Sequence, residues 1–370
     1  NGKNKHIAIS SNGDYIAATG SSYGEVRFFS RHSNVALWTA DLSGSGSAES
    51  LAMSANGLHL AVGSSASVYY FQTKIPEWSY ESNDKMLNVA VSADGEYIAA
   101  GSYDEYLYFF EKDSDTVLWS SNIGYVFSVD MSADGEYIVA GSENEKVYLY
   151  DKDSGTPLWS YDTDDFVNAV AISADGEYIV AGGDNDKVYL FGKDSSTPLW
   201  SYDTGDDVDT VDISANGSYI AVGNDDKGFL FSKNSNTPLW TRGGPIYSVS
   251  ISADGEYVAM GSSDGDDSLY LVHIRSNTQS SYEDTDDDFQ HIDMSADGQA
   301  IAVGAHKHLY FFGSDISDPE WTYTLDQNIK SLSISENGEY IVVGSDDDKI
   351  YLFDKDGSNP LWSYETAGDI

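Results

Sequence analysis

The sequence of 370 residues predicts an all-β fold, a closed ring of nine four-stranded antiparallel sheets. Three observations predict it. One unit of about 41 residues recurs from end to end, and such a period marks a repeat architecture. Each copy carries four short runs of strand-forming residues separated by turn residues, with no helical period. Two glycines and a tryptophan recur at fixed places in the unit, so the copies are built on one backbone plan.

The copy at Val126–Asp165 shows the plan. Val126–Ser132 alternates apolar with small or polar residues and runs into Ala-Asp-Gly, a strand entering a tight turn. Tyr137–Gly141 is the second strand, and Lys146–Tyr150 is the third, apolar on both faces as a sheet with neighbours above and below requires. Asp151–Thr156 supplies turn formers, and Pro157–Tyr161 is the fourth strand. Proline donates nothing to a ladder, so Pro157 at a strand start suits an outermost strand. A four-stranded unit of this kind covers both faces only by stacking on its copies around an axis, the β-propeller arrangement.

The turn glycine falls at Gly13, Gly57, Gly95, Gly135, Gly176, Gly217, Gly255, Gly298 and Gly338, which sets the count at nine. A second glycine closes the second strand, from Gly20 to Gly344. Either positive φ or close approach of another strand explains both series. All eight tryptophans share one position in the fourth strand: Trp38, Trp78, Trp119, Trp159, Trp200, Trp240, Trp321 and Trp362. Ser280 stands there in the seventh copy. A flat side chain at that place wedges against the next blade and fixes the spacing. A tyrosine follows the turn in seven copies, with His59 and Ala300 as exceptions, and reads as mortar of the same kind.

The segments SVDMSADGEYIVAGS and KVYLYD resemble a WD repeat, with Tyr150-Asp151 or Phe353-Asp354 where that family often has Trp-Asp. DKDSGTPLWSY resembles the tryptophan-docking motif of quinoprotein-like propellers, in which an Asp, a Ser/Thr-Gly turn and a Trp lock adjacent blades. The likeness spans essentially the whole chain and implies the propeller fold. It implies no activity, since function lives in sites grafted on a fold. One nine-bladed ring over residues 1–370 is expected, with a seven- or eight-bladed ring plus extra repeats as the alternative. The first strand opens the chain and a fourth strand closes it, so no blade is expected to share strands from both ends. Asn1 in place of Met suggests a removed signal segment or an excised part, and Ala367–Ile370 resembles the lead-in to another repeat.

The formal charge of −42, from 61 acidic and 19 basic residues, excludes a nucleic-acid partner and docking on anionic lipid. Most acids sit in turns, among them Asp162–Asp165, Asp206-Asp207, Asp264–Asp267, Asp284–Asp288 and Asp346–Asp348. Such a surface suits a salty medium, where counterions screen self-repulsion, and with these repeats it resembles acidic archaeal propeller proteins. There is no cysteine, hence no disulfide, thiolate metal site or cysteine nucleophile. No apolar run is long enough to insert in a membrane.

Three groups are candidate sites. Asp151, Asp153 and Gly155 resemble a Ca²⁺ loop, while a turn in which Asp and Ser cap backbone amides explains the same pattern. His291, His306 and His308 cluster in the eighth copy with Asp293, and His306 and His308 share a strand face if the third strand starts early enough. Asp130, Asp212 and Asp293 replace a small residue on the innermost strand, where they either bond across blades or line a wet channel that holds a cation. No other cofactor is called for.

No nucleophile, base and orienting group stand at telling spacing. The reading is therefore a non-catalytic, exported propeller at the extracellular or cell surface that binds a protein or glycan partner. The alternatives are a subunit that assembles with copies of itself into a surface layer or filament, and a quinoprotein-like enzyme. Repeats one, two, seven and eight depart most from the consensus, with the longest insertions at Asp41–Ala48 and Ser262–Ser268, and the partner is expected there.

Overall fold

The computed structural model describes residues 6–20, 24–42, 46–72, 76–262, 268–276, 278–283 and 289–366. It forms nine four-stranded antiparallel sheets, each made of four consecutive strands paired in sequence order. The sheets are arranged as the blades of a β-propeller, and no helix occurs among the described residues. In the fourth blade the strands are Val126–Met131, Tyr137–Ser142, Lys146–Asp151 and Trp159–Asp162, innermost to outermost. The fourth strand thus starts two residues later than the sequence suggested. Pro157 lies before it in the connecting loop, where its missing N–H costs no ladder bond.

The second and third strands supply the core. Ile138, Val139 and Ala140 are fully buried, as are Val147, Leu149 and Tyr150, because each of these strands meets a neighbouring blade on both faces. The outer strand Trp159–Asp162 alternates half-buried and exposed residues, as an edge strand facing solvent should.

The two glycine series answer different demands, apart from Gly20, where a Cβ would meet nothing nearer than 3.8 Å. Gly176 has φ +71°, and a Cβ there would lie 2.5 Å from Tyr137 Cδ2 of the preceding blade. It needs both the left-handed conformation and the space. Gly182 lacks a positive φ, but a Cβ would lie 2.3 Å from Val208 Cγ1 on the innermost strand of the next blade. Close approach alone explains it. Gly176→Ala should cost about 3 kcal/mol, from backbone strain plus displacement of the Tyr137 ring, read as a lower urea midpoint with unchanged slope.

Adjacent blades are joined at three radii. On the outside, each indole lies between aromatic or aliphatic walls. Trp119 stacks on Phe109 of its own blade at 4.9 Å and on Tyr150 of the next at 5.1 Å. Its Nε1 donates to the Lys152 carbonyl at 2.8 Å, and Trp78, Trp159, Trp200 and Trp321 donate to the equivalent carbonyls of the blades that follow them. Trp38 is buried between Phe28 and Phe71, and the stretch that follows the third strand of the next blade is outside the described residues. Trp240 departs from the pattern and donates to Gln279 Oε1. Where Ser280 replaces tryptophan, Ile316 of the next blade is buried in the cluster that holds Leu271, the pairing partner of Ser280.

Near the axis, the nine turns form a belt of backbone hydrogen bonds. Ser11 donates to Ala55, Ala55 to Ala93, and so on through Ala133, Ala174, Ala215, Ala253 and Ala296 to Glu336, with N···O distances of 2.9–3.2 Å. Asn337 N closes the belt on Ser11 O at 3.2 Å. Each turn is held by its own side chains: Ser132 Oγ accepts from Tyr137 N, and Asp134 Oδ1 accepts from Glu136 N. At the third radius, the innermost strands are clasped by the aspartates described below.

The first and ninth blades meet face to face. Trp362 Nε1 donates to Arg31 O at 2.8 Å, and Asn34 Nδ2 donates to Ser363 O at 3.2 Å. Ile16, Ala18 and Phe29 pack with Val342, Ile350 and Leu352 across this seam.

Candidate binding surface at the acidic channel mouth

The alternation of strands puts the glycine turns and the third-to-fourth loops on one face. The second-to-third turns and the connections between blades emerge on the other. On that second face, at the fifth and sixth blades, the fold gathers carboxylates that the sequence scatters. Asp184 and Asp186 come from a second-to-third turn, Asp206 and Asp207 from the following connection, Asp209 from the next innermost strand, and Asp225 from the next turn. Ligating oxygens of Asp186, Asp206 and Asp207 lie within 4.8 Å of one another. Burial, reinforced by Asp225, Asp207, Asp206 and Asp184, pushes the Asp209 carboxyl up to about 6. Asp207 is raised for the same reasons, with Asp184 the first of its charged neighbours. Like charges held this close favour a cation nearby.

An arc of aromatic side chains continues from this cluster along the same mouth. Phe166 is 39% exposed and its carbonyl accepts from Asp184 N at 3.0 Å, so the arc and the acids are contiguous. Phe127 lies against Phe166 with ring centroids 5.9 Å apart, and Tyr125 lies against Tyr103 at 5.1 Å. Tyr247 is exposed beyond the acids. The mouth thus offers negative charge beside exposed rings, which suits a partner that brings cationic and flat or apolar groups together.

The residues singled out from sequence fall elsewhere. Asp151 Oδ1 accepts from Asp153 N at 2.7 Å, and Asp153 Oδ1 faces Lys152 Nζ at 2.8 Å. The Asp151 carboxylate therefore caps a turn amide, while that of Asp153 pairs with the neighbouring lysine at the surface. His306 lies in a turn with φ 44°, and the third strand of the eighth blade begins only at His308, so the two imidazoles do not share a strand face. His308 Nδ1 is 3.1 Å from Thr324 Oγ1, and burial holds His291 below the usual imidazole range, with Lys330 adding to it. Among the described residues, Asp186, Asp206 and Asp207 are the group whose ligand atoms converge, and Asp151, Asp153, His291, His306 and His308 are not in it. Residues 43–45, 263–267, 284–288 and 367–370, on which other sequence expectations rest, lie outside the described residues.

The three inner aspartates bond across blades. Asp130 accepts from Met131 N and from Ile172 N of the next blade at 2.8 and 2.9 Å. Asp212 does the same with Ile213 N and Ile251 N, both at 2.8 Å. Asp293 accepts from Met294 N, Ile334 N and Ser333 Oγ. Asp130 also borders a channel cavity of about 390 Å³ behind the belt of turns, walled by Ile172, Ile213, Ile251 and Met294. The clasp and the channel wall are therefore one arrangement, not alternatives.

The family model described as outer membrane protein assembly factor BamB, a PQQ-like repeat family, matches residues 103–364. The chain belongs to this family. No curated protein matches it in sequence. The crystal structure of Saccharomyces cerevisiae Sqt1 is similar to it with a TM-score of 0.61 over 77% of this chain and 86% of that one, at 12% identity, a likeness of fold. The chain is thus a propeller of PQQ-like repeats. The family name evokes pyrroloquinoline quinone, an acidic molecule that needs cationic partners. The channel cavity is lined by Asp130, Glu336 and apolar side chains, with no lysine or arginine among them, and does not fit that group.

Proposed function

We propose that this PQQ-like propeller is a non-catalytic scaffold that binds a protein partner through the acidic and aromatic channel mouth at its third to seventh blades. The observation that carries this reading is the contiguity of Asp184, Asp186, Asp206, Asp207 and Asp209 with exposed Phe166 and Tyr125. A segment with lysine or arginine beside apolar or aromatic residues complements both the rings and the acids, which outnumber Lys187 and Lys227 of the same turns. The acidic surface, screened in a salty medium, supports an exported protein at the extracellular or cell surface. A glycan, stacking on the same rings, is the competing ligand.

A peptide of alternating lysine and phenylalanine should bind at about 0.15 M salt, where a lysine-only peptide binds more weakly. The combined variant Phe166→Ala, Asp186→Asn, Asp206→Asn, Asp207→Asn should weaken the mixed peptide by at least tenfold, about 1.4 kcal/mol. Equal binding to wild type and variant would mean that the charge of the whole surface, not this mouth, attracts the peptide. Labelling of intact cells with a membrane-impermeant amine reagent tests the surface location, and failure to label would overturn it.

Self-assembly has one observation in its favour. Leu37, Leu118, Leu158, Leu199, Leu239 and Leu361, which precede the tryptophans, are each about half exposed around the rim of the ring. Glu77, Gln279 and Glu320 replace them in the second, seventh and eighth blades, so the apolar rim is interrupted. Sedimentation velocity at about 0.1 and 3 M salt separates the readings, since rings that meet through leucines associate as repulsion is screened.

A further inference from the structure

The face opposite the acidic mouth carries a vacancy at the junction of the eighth and ninth blades. In seven blades a tyrosine follows the turn and its ring fills the space between its own third strand and the turn of the next blade. Tyr15 lies on Phe28 with centroids 5.4 Å apart, and Tyr97 on Phe109 at 5.6 Å. The edge of each ring meets the turn glycine of the blade that follows, as Tyr15 meets Gly57 and Tyr257 meets Gly298. A cation of that next blade lies over several of these rings: Lys193 over Tyr137 at 5.4 Å, Lys233 over Tyr178 at 4.3 Å and Arg31 over Tyr340 at 4.9 Å. In the second blade His59 takes the place and pairs with Tyr70.

The eighth blade has Ala300 there, and every wall of the ring site is still present. Phe311, only 3% exposed, Gly338 and Lys355, which corresponds to Lys193 and Lys233, line a pocket of about 310 Å³. Asp297, Glu320, Glu339 and Asp356 rim it. Lys355 Nζ pairs with Glu339 and Asp356, each at 3.5 Å, so the remaining rim charge is negative. Where neighbouring junctions hold a ring from their own chain, this one holds none.

We propose that this pocket binds a single aromatic ring that carries a positive charge close to it. The ring takes the place of the missing tyrosine on Phe311, and the cationic group lies toward Asp297 and Glu320. A free aromatic amine and a tyrosine beside a lysine in a protein segment share this chemistry. The site is on the opposite face from the channel mouth and stands whether or not that surface binds a partner.

The test is calorimetry on the whole protein with tyramine, p-cresol, 4-hydroxyphenylacetate and acetyl-Tyr-Lys-amide. At least one of the two cationic probes should bind about tenfold tighter than p-cresol, and the anion should not bind. Tyramine alone binding points to a small metabolite, and the dipeptide binding as well or better points to a protein segment. The indole N–H signal of Trp321, whose ring stacks on Phe311 at 5.1 Å, should move on binding. Ala300→Tyr should fill the pocket, abolish binding and leave the protein folded, because it restores the residue that seven blades carry. Glu320→Gln should weaken tyramine by about threefold without affecting p-cresol. Failure of both cationic probes, a Trp321 signal unmoved by a bound probe, or undiminished binding to Ala300→Tyr would each overturn the proposal.

Discussion

Trp362→Ala should lower the free energy of unfolding by about 3–5 kcal/mol and also open the ring, whereas Trp159→Ala should cost as much with the ring still closed. Both indoles lose stacking walls and a bond to the next blade: Trp362 lies against Phe29 at 5.4 Å and donates to Arg31 O, and Trp159 lies against Phe191 at 5.1 Å and donates to Lys193 O. The difference is chain continuity. The fourth and fifth blades are joined by a short connection, so their faces stay near each other after the indole is gone. Among the described residues, the first and ninth are joined through side chains and by the belt bond from Asn337 to Ser11, so losing the indole there exposes the entropy of closing a loop that spans the nine blades. Urea denaturation gives the stability term. Size-exclusion chromatography at increasing concentration gives the second, because free end blades pair with those of another molecule. Identical elution of the two variants would show that the seam holds without its indole.

The urea midpoint should rise as pH falls from 8 to 5. Burial pushes Asp130 up to about 6 and Asp212 up to about 7, against the bonds from backbone amides that favour the charged form. Asp212 is raised further by Asp130 and Asp293, and burial raises Asp293 as well. In the unfolded chain these carboxyls titrate near 3.8. A group raised on folding contributes stability that is complete below its unfolded value and is lost as pH climbs through its folded value, here between about 6 and 7. Asp130 and Asp212 should each contribute about 1–2 kcal/mol to the change, with channel water reducing the full linkage value, and Asp293 acts in the same direction. Asp207 and Asp209 at the mouth act in the same direction. Changing Asp130, Asp212 and Asp293 together to asparagine should flatten the profile while leaving the mouth's smaller share. A midpoint independent of pH in the wild-type protein would show that these carboxyls stay solvated.

The repeat made the architecture legible. Nine turn glycines, eight tryptophans and the alternation of strands each encode a local demand, and a demand repeated at a fixed period leaves one way to bury the sheets. Even the two readings of the glycines were open to the eye, though only the structure separates Gly176, which needs its φ, from Gly182, which needs the room. His306 and His308 show the opposite case: their spacing suggested a shared face, and the turn that holds His306 takes it off the strand.

By itself the sequence determined the number of blades, the strands within each, the position of the docking indoles and the sign of the surface. All of these follow from short-range pattern and composition. Only the tertiary structure decided which groups meet between blades. Asp186 and Asp207 become neighbours because a turn of one blade and the connection to the next emerge on one face. Asp130 becomes a clasp because the strand beside it presents the Ile172 amide. The pocket at Ala300 exists because its walls come from both the eighth and the ninth blade. Contacts between copies depend on the radius and stagger at which the ring closes, and no period within one copy carries that information.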